Sequence, residues 1–541
     1  MASDQTDEMT LGALTVQLEE LNRVGAALAA ERDTATLLAM ILTKARDITS
    51  SDAGSLYIVE PETDNAADGD GEPPRRLRFM IAQNDSVDVP FEEASIRVSD
   101  RSIAGYVAQT GATVMIEDAY AIPEDAPYSF NRTFDQRAGY RTRSVLAKPL
   151  RTPKGHIIGV LQLINAKRVR ASRLDTVAAV AAGVTPYSDR LDRLATSLAA
   201  QAAVALENSQ LWSDIGRLFE GFVRASVVAI ESRDPATSGH SFRVANLTIA
   251  LAEAVDRADS GPLASVRFTR EDMRTLRYAA LLHDFGKVGV REDVLVKAKK
   301  LYPEQLDLVR NRFKLARRGQ ELASMQRRLD YALAHGRDAY LASVPAFEAS
   351  LQQGIADLDQ HLATIEQANE PTVIADGSFE RLRAIADVAY SDVDGSSRPL
   401  LDESEVRLLS LRKGSLSEAE RVQIESHVLL SYRFLSQIPW TREIRRIPAF
   451  ALGHHEKLNG TGYPNKLSAP DIPIQTRMMT IADIFDALAA ADRPYKKAVP
   501  ITRAIDILND AVADQEVDGD LFRLFLDARA FDQWTVESYP Y

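Results

Sequence analysis

Leu282-His283-Asp284-Phe285-Gly286-Lys287 sets an imidazole beside a carboxylate, and His454-His455-Glu456-Lys457-Leu458-Asn459-Gly460-Thr461-Gly462-Tyr463-Pro464 sets two imidazoles side by side. Working outward from these strings, His240, His427 and Asp483 join them, placing seven potential metal ligands between residues 240 and 483. The chain has only eight histidines, so five of them in such strings argue for a site rather than for scattered core imidazoles. Neighbouring residues on a helix project about 100° apart, so His283 and Asp284 can reach one cation while the second carboxylate oxygen reaches another. Asp284 then bridges a two-metal centre. His240, His283 and Asp483 would surround one ion, and His427, His454 and His455 the other.

Composition narrows the chemistry. The absence of cysteine excludes disulfides, thiolate ligands and a cysteine nucleophile, leaving nitrogen and oxygen donors. Those donors suit two divalent ions, iron or manganese first and zinc as a third choice. A chain of 541 residues is too long for one core and should split into two or three domains. Its formal charge of -13 opposes extended binding to a nucleic-acid polymer. Residues 1–10 are polar and acidic, unlike a secretory signal, and no apolar run is long enough to span a bilayer. The expectation is a cytoplasmic protein without a membrane segment.

Along the chain, residues 11–46 read as one helix, with Leu14, Leu18, Leu21 and Val24 stepping by three and four. Strand signals follow at 55–59, 76–82, 113–116 and 157–165, with a Gly-, Asp- and Pro-rich loop at 60–74. A mixed α/β domain thus ends near Lys167. A second long helix begins at Leu191, where Leu191, Leu194, Leu198, Ala202 and Ala205, then Ile215, Leu218, Phe222 and Ala225, keep heptad-like spacing. This favours a paired helix, with a core-facing helix of the flanking domain as the alternative. Beyond residue 226 nearly everything reads as helix.

The first domain resembles a GAF domain over about residues 34–208. The resemblance rests on Ser102-Ile103-Ala104-Gly105-Tyr106-Val107-Ala108-Gln109-Thr110-Gly111, Ile116-Glu117-Asp118-Ala119-Tyr120, Gly139-Tyr140-Arg141-Thr142-Arg143-Ser144-Val145-Leu146, and the strand 159–165. It implies a small-molecule pocket, such as one for a cyclic nucleotide, lined by Asn131, Asp135, Tyr140 and Thr142. The nucleotide-binding subgroup continues its last strand with Asn-Lys, whereas Ala166 here separates Asn165 from Lys167. Many GAF domains act only as dimerisation modules, and both readings stay open.

The C-terminal domain resembles the HD-GYP branch of the HD phosphohydrolases. Besides the two opening strings, the motifs are Thr237-Ser238-Gly239-His240-Ser241-Phe242-Arg243-Val244, Ile481-Ala482-Asp483-Ile484-Phe485-Asp486-Ala487-Leu488 and Asp492-Arg493-Pro494-Tyr495-Lys496. The resemblance implies Asp284 and Lys287 as catalytic residues and Lys287, Tyr463, Arg493 and Lys496 as substrate contacts. Two departures stand out. Asn459 occupies a position that is usually Asp, and Ala236 stands where trinuclear members carry a carboxylate, which favours two metals.

An insertion separates the leader Lys297-Ala298-Lys299-Lys300-Leu301 from its histidine. Eleven residues past Leu301 stands Arg312, whereas eleven past Leu416 stands His427. Within the insert, Leu322, Met325 and Leu329, and Leu351, Ile355, Leu358, Leu362 and Ile365, step by three and four, which reads as a helical hairpin over about 313–410. Arg310, Arg312, Lys314, Arg317 and Arg318 form a basic cluster, either a docking point for an anionic partner or a solvated face.

The expected architecture is multidomain: an N-terminal helix (1–33), an α/β GAF sensor (34–190), a linker helix (191–225) and an all-α HD-GYP domain (226–541) carrying the hairpin. The resemblance implies a homodimer through the linker helix and GAF domain, and hydrolysis of a cyclic dinucleotide, cyclic di-GMP first, to linear pGpG and/or GMP. The alternatives are another cyclic dinucleotide such as cyclic GMP-AMP, or a non-catalytic nucleotide-sensing module. The metal, the GAF ligand and the proton donor to the leaving group are not written in the residues.

Overall fold

The computed structural model describes residues 19, 22–31, 33–61, 75–88, 95–98, 101–234, 238–373, 377–490 and 499–534. The chain divides into two compact units, Met1–Phe219 and Glu220–Tyr541. Among the described residues no helix is long and apolar enough to cross a membrane.

The first unit contains α1 (Thr34–Thr49), β1 (Ser51–Pro61), β2 (Arg75–Asn84), β3 (Ser95–Arg97), α2 (Ile103–Thr110), β4 (Val114–Ile116) and α3 (Thr133–Ala138). These are followed by β5 (Val145–Arg151), β6 (Ile157–Lys167), α4 (Val177–Gly183), β7 (Val184–Thr185) and α5 (Asp189–Glu231). The strands form one sheet in the order β3-β2-β1-β6-β5-β4, with β7 on β6, and every pairing is antiparallel. Side chains alternate between the sheet's faces. Leu56, Ile58, Leu146, Leu150, Leu161 and Leu163 join one core with α1 and α5. Tyr57, Val145, Ala147 and Val160 join a second core with α2.

The four expected strands are present, each within a few residues of its expected ends. The single helix expected over 11–46 is not. Helical residues 22–30 are separated from α1 at Asp33, whose extended backbone and side chain cap α1 by accepting from Thr36 N–H. Leu14, Leu18 and Leu21 lie outside the described residues.

The expected seam on α5 splits in two. Leu198 and Ala202 are buried in the first core, the core-facing alternative, whereas Ile215, Leu218 and Phe222 are exposed together with Val204 and Leu211. Past Phe219 the helix buries Val223, Val227 and Ile230.

The second unit continues with α6 (His240–Arg257), α7 (Arg270–Leu282), α8 (Glu292–Leu295), α9 (Pro303–Ala368), α10 (Ser378–Ala386), the two-stranded β8 (Ala389–Ser391) and β9 (Ser397–Pro399), and α11 (Glu403–Leu409). Then come α12 (Glu418–Leu435), α13 (Ile447–Leu452), α14 (Ile474–Ala489), α15 (Ile501–Ala513) and α16 (Gly519–Asp527). Among the described residues of this unit, β8 and β9 are the only named strands and the other named elements are helices.

α9 is the hairpin. Its helical path breaks at Gly336, with φ of 78°, a conformation that glycine adopts without a Cβ clash. The arms then run back along each other: Arg310 meets Glu366 at 2.6 Å, Arg317 meets Asp359 at 3.7 Å, and the Tyr331 and Phe347 rings lie 5.5 Å apart. The seam differs from the expected one. Val309, Phe313 and Ala316 of the first arm meet Leu358, Ile365 and Ala368 of the second, while Leu322, Met325 and Leu329 are exposed. A three-and-four step identifies a helical stripe but not the side that meets a neighbour. The helix also starts at Pro303, ahead of the expected 313, and residues from α10, β8 and α11, with Leu400 and Leu401, complete a core of the insertion's own. Much of the basic cluster is paired internally, Arg310 with Glu366, Arg312 with Glu405 and Arg318 with Glu321.

Candidate metal centre

His283 caps the C-terminus of α7, and Asp284 begins the 3-10 turn Phe285–Gly289. α12 docks on this turn. Ser431 takes the Gly286 N–H on its hydroxyl at 2.7 Å and donates to the His283 carbonyl at 2.7 Å, which brings His427, one turn earlier on α12, over Asp284. His454 and His455 follow α13, and Asp483 lies on α14. His240 begins α6, where the Glu231 carboxylate at the end of α5 accepts from the N–H groups of Gly239 and Ser241.

The seven sequence-selected residues converge. Asp284 Oδ2 lies 3.4 Å from His283 Nε2 and 3.6 Å from His240 Nε2, while its Oδ1 lies 3.3 Å from His427 Nε2. Asp483 Oδ1 is 3.2 Å from His240 Nε2, and its Oδ2 is 3.9 Å from His455 Nδ1. Among the described residues two groups bring their donor atoms within 4.8 Å of one another and could hold a metal ion, His427 with His454 and His455, and His240 with His283 and Asp284.

Proton positions follow from the partners. In His283, His427 and His454, Nδ1 lies 2.6 Å from the backbone carbonyl three residues earlier, respectively Ala280, Ile424 and Ala451. A carbonyl only accepts, so each Nδ1 carries the proton and each Nε2 keeps its lone pair. His427 Nε2 and His454 Nε2 thus face each other as two acceptors 3.4 Å apart, and His283 Nε2 is buried with no hydrogen-bond partner among the described residues. Converging lone pairs repel unless they share an electrophile, so the donor set fits a cation.

Electrostatics agree. Burial, foremost, together with the neighbouring imidazoles holds His454 well below the ordinary histidine range. Burial likewise brings His455 down to about 4, with Asp483 pulling the other way. Both rings are neutral at physiological pH. For Asp284, burial opposes ionisation but Lys287 and the surrounding histidines outweigh it, keeping the carboxylate charged. In His240, burial is likewise overcome, here by hydrogen bonds to Asp483 and Asp486, which raise it to about 9.

Lys287 Nζ lies between Asp284 Oδ2 at 2.9 Å and Asp234 Oδ2 at 3.1 Å. Tyr463 covers His455, with ring centroids 4.8 Å apart. Its loop is shaped by the buried Glu456 carboxylate, which accepts from Asn465 N–H and Leu467 N–H, and by Gly462, where a Cβ would meet Lys457 N at 2.4 Å. Arg493, Lys496 and Ala236 lie outside the described residues.

In the first unit, Asp135, Tyr140 and Thr142 are buried and bonded to one another's surroundings. Asp135 accepts from Thr142 N–H at 2.7 Å and from its hydroxyl at 2.9 Å, and the Tyr140 hydroxyl donates to Asp52 at 2.7 Å. Asn131 is exposed, its side chain accepting from Thr133 N–H. Asn165, whose φ is 57°, ties Tyr140 to the backbone of residues 141 and 143, and Lys167 pairs with Asp52 and Asp85.

Sequence reasoning missed Asp52, Asp234, Glu231, Ser431, Asp486 and Trp534. Of these only Asp486 left a signal, three residues beyond Asp483 on the same helix.

Comparison with known proteins places these observations. A GAF domain model matches residues 33–206, and HD domain models match 237–342 and 404–521. The chain therefore carries a GAF domain followed by an HD domain. Its relatives include the 3'3'-cGAMP-specific phosphodiesterase 3 of Vibrio cholerae, 39% identical over 99 residues, 18% of this chain and 21% of that protein. The cyclic di-GMP phosphodiesterase response regulator RpfG of Xanthomonas campestris is 36% identical over 113 residues, 20% of this chain and 29% of that one. A probable cyclic di-GMP phosphodiesterase of Vibrio cholerae is 30% identical over 192 residues, 34% of this chain and 40% of that one. The chain thus spans well under half the length of each of these relatives.

Proposed function

We propose that the protein is a metal-dependent cyclic-dinucleotide phosphodiesterase, acting on cyclic di-GMP first and giving linear pGpG and/or GMP, under the control of its GAF domain. Relatives named for cyclic di-GMP and for 3'3'-cGAMP both align, so cyclic GMP-AMP is kept as a second substrate. The observation that carries the reading is the pair of Nε2 lone pairs of His427 and His454 facing each other, with Asp284 splitting its two oxygens between the histidine groups.

His240, His283 and Asp483 would hold one ion, His427, His454 and His455 the other, and Asp284 both; iron or manganese, with zinc as the third choice, suits this nitrogen and oxygen set. Such ions, when bound, activate water and neutralise charge on phosphodiester oxygens. Lys287, held between Asp284 and Asp234, presents a fixed positive charge for a non-bridging oxygen. Tyr463 offers a ring and hydroxyl at the edge of the site, and Arg493 and Lys496 would contact the substrate phosphates. Asn131, Asp135, Tyr140 and Thr142 belong to the proposed ligand-responsive region of the GAF domain.

Regulation has a physical route through α5. Its last residue, Glu231, holds the N-terminus of the helix that begins with His240, so a change in α5 bears directly on one ligand. The exposed Val204, Leu211, Ile215, Leu218 and Phe222 on α5 support a homodimer through this helix. A cytoplasmic location belongs to the same reading.

The test is ion content and turnover of cyclic di-GMP and 3'3'-cGAMP by protein purified without oxygen and supplied with Fe(II) or Mn(II). Two ions per chain with turnover, both lost in Asp284→Ala, are expected. Ions without turnover of either dinucleotide would leave a sensing module and end the enzyme reading. Full ion content in Asp284→Ala would remove the bridge.

A further inference from the structure

Behind His240, on the side away from the other six ligands, lies a carboxylate that none of the motif reasoning uses. Asp486 follows Asp483 by one helical turn on α14 and is 1% exposed. Its Oδ2 lies 2.7 Å from His240 Nδ1 and 3.2 Å from Arg243 Nη2, and its Oδ1 accepts from Arg243 Nε at 2.6 Å and Trp534 Nε1 at 2.5 Å. Both oxygens are therefore filled, by N–H groups from α6 and from the C-terminal segment after α16. Arg243 also donates to the Ser238 carbonyl, which fixes the guanidinium as well as the charge.

This arrangement is asymmetric among the ligands. His283, His427 and His454 are oriented by neutral carbonyls of their own backbone. His240 stands at the first position of α6, and the partner of its Nδ1 is a side chain from another helix, Asp486.

We infer that Asp486 is the positioning residue of His240: it keeps the ring proton on Nδ1 and directs the Nε2 lone pair to the ion shared with His283 and Asp483, and Arg243 and Trp534 hold it in place. The inference rests on the two-ion reading. A carboxylate is required because all four facing groups donate. An amide would set its NH2 against either His240 or the Arg243–Trp534 pair. With the NH2 toward His240, the ring would have to move its proton to Nε2, and the lone pair would turn away from the cation.

The experiment is a calorimetric Mn(II) titration of the full chain and of Asp486→Asn, with thermal melting to check folding. The wild type should take up two ions. In Asp486→Asn the affinity of one site should fall about 10- to 100-fold while the other, built on His427, His454 and His455, stays within a few-fold. A purely structural role would weaken both sites together or neither. Asp486→Glu should recover part of the loss, and Trp534→Phe, which removes one donor and leaves the Asp486–His240 bond, should show a smaller loss at the same site. Should the Asn variant not fold, Trp534→Phe decides, since equal effects on both sites, or none, overturn the inference. Two ions bound with wild-type affinities in Asp486→Asn overturn it alone. Fewer than two ions in the wild type overturn the two-ion reading and this inference with it.

Discussion

Gly286 and His427 touch through their backbones: a Cβ on Gly286 would lie 1.9 Å from the His427 carbonyl oxygen and 2.4 Å from Ser431 N. Neither backbone atom can swing aside as a side-chain tip can. Gly286→Ala should therefore push α12 off the turn that carries Asp284, costing on the order of 1–3 kcal/mol or more, as overpacking does. Gly289→Ala is the control, because its Cβ would meet only the Leu430 side chain, at 2.7 Å, which can rotate. Denaturant melts and ion counts check this. Equal behaviour of the two variants would refute the docking account.

Asn459→Asp restores the charge usual at that position, and the structure assigns it a cost. The Asn459 amide donates to the Asp514 carbonyl at 2.9 Å, while its oxygen accepts from Thr461. A carboxylate keeps the second interaction and loses the first. The variant should lose about 1 kcal/mol of stability and keep turnover within a few-fold. Abolished turnover in a folded variant would show that this loop participates more directly than proposed.

Lys300 gives a pH signature. Its side chain is fully buried, donates to the Leu409 carbonyl, and is pushed by burial down to about 8. Between pH 8 and the unfolded value near 10.5 the unfolded chain holds more protons, so stability gains from this group as pH rises through that window. Below pH 8 the penalty for burying the charge is fully present. Against Lys300→Met, wild-type stability should improve by up to ~3 kcal/mol from pH 7.5 to 10.5. Parallel curves for the two proteins would contradict the assignment.

Leu211 and Leu218 are 52% and 74% exposed, so their replacement costs the isolated chain little. Leu211→Glu with Leu218→Glu should convert a dimer to a monomer in sedimentation and leave the melting of the fold within about 0.5 kcal/mol per site. An unchanged mass would place any dimer contact elsewhere.

The candidate-ligand strings were legible because their chemistry is local: adjacent histidines and a His-Asp pair announce themselves. His427 was reached by counting from a leader, and it lies beside Asp284 and His454, two of the other candidate ligands. The hairpin was legible as two arms, but Leu322, Met325 and Leu329 were assigned to a seam from which the structure leaves them exposed. Periodicity fixes a stripe on a helix and leaves open which side is covered. The partners of Asp486 and Asp234 were not legible for another reason. These partners, His240 and Lys287, lie 246 and 53 residues away, and no repeat links them.

The base of the insertion is clasped. Lys297, ahead of the hairpin, pairs with both oxygens of Glu420 in the first turn of the His427 helix, and the Tyr302 hydroxyl reaches the same carboxylate at 2.7 Å. Where the chain leaves and where it returns are thus joined by a knot of three side chains, whatever is strung between them. Lengthening or shortening the far end of such a graft changes closure entropy only slowly, by a fraction of a kcal/mol per doubling. The outer reach of the hairpin is therefore free to vary in length while His427 stays registered against Asp284.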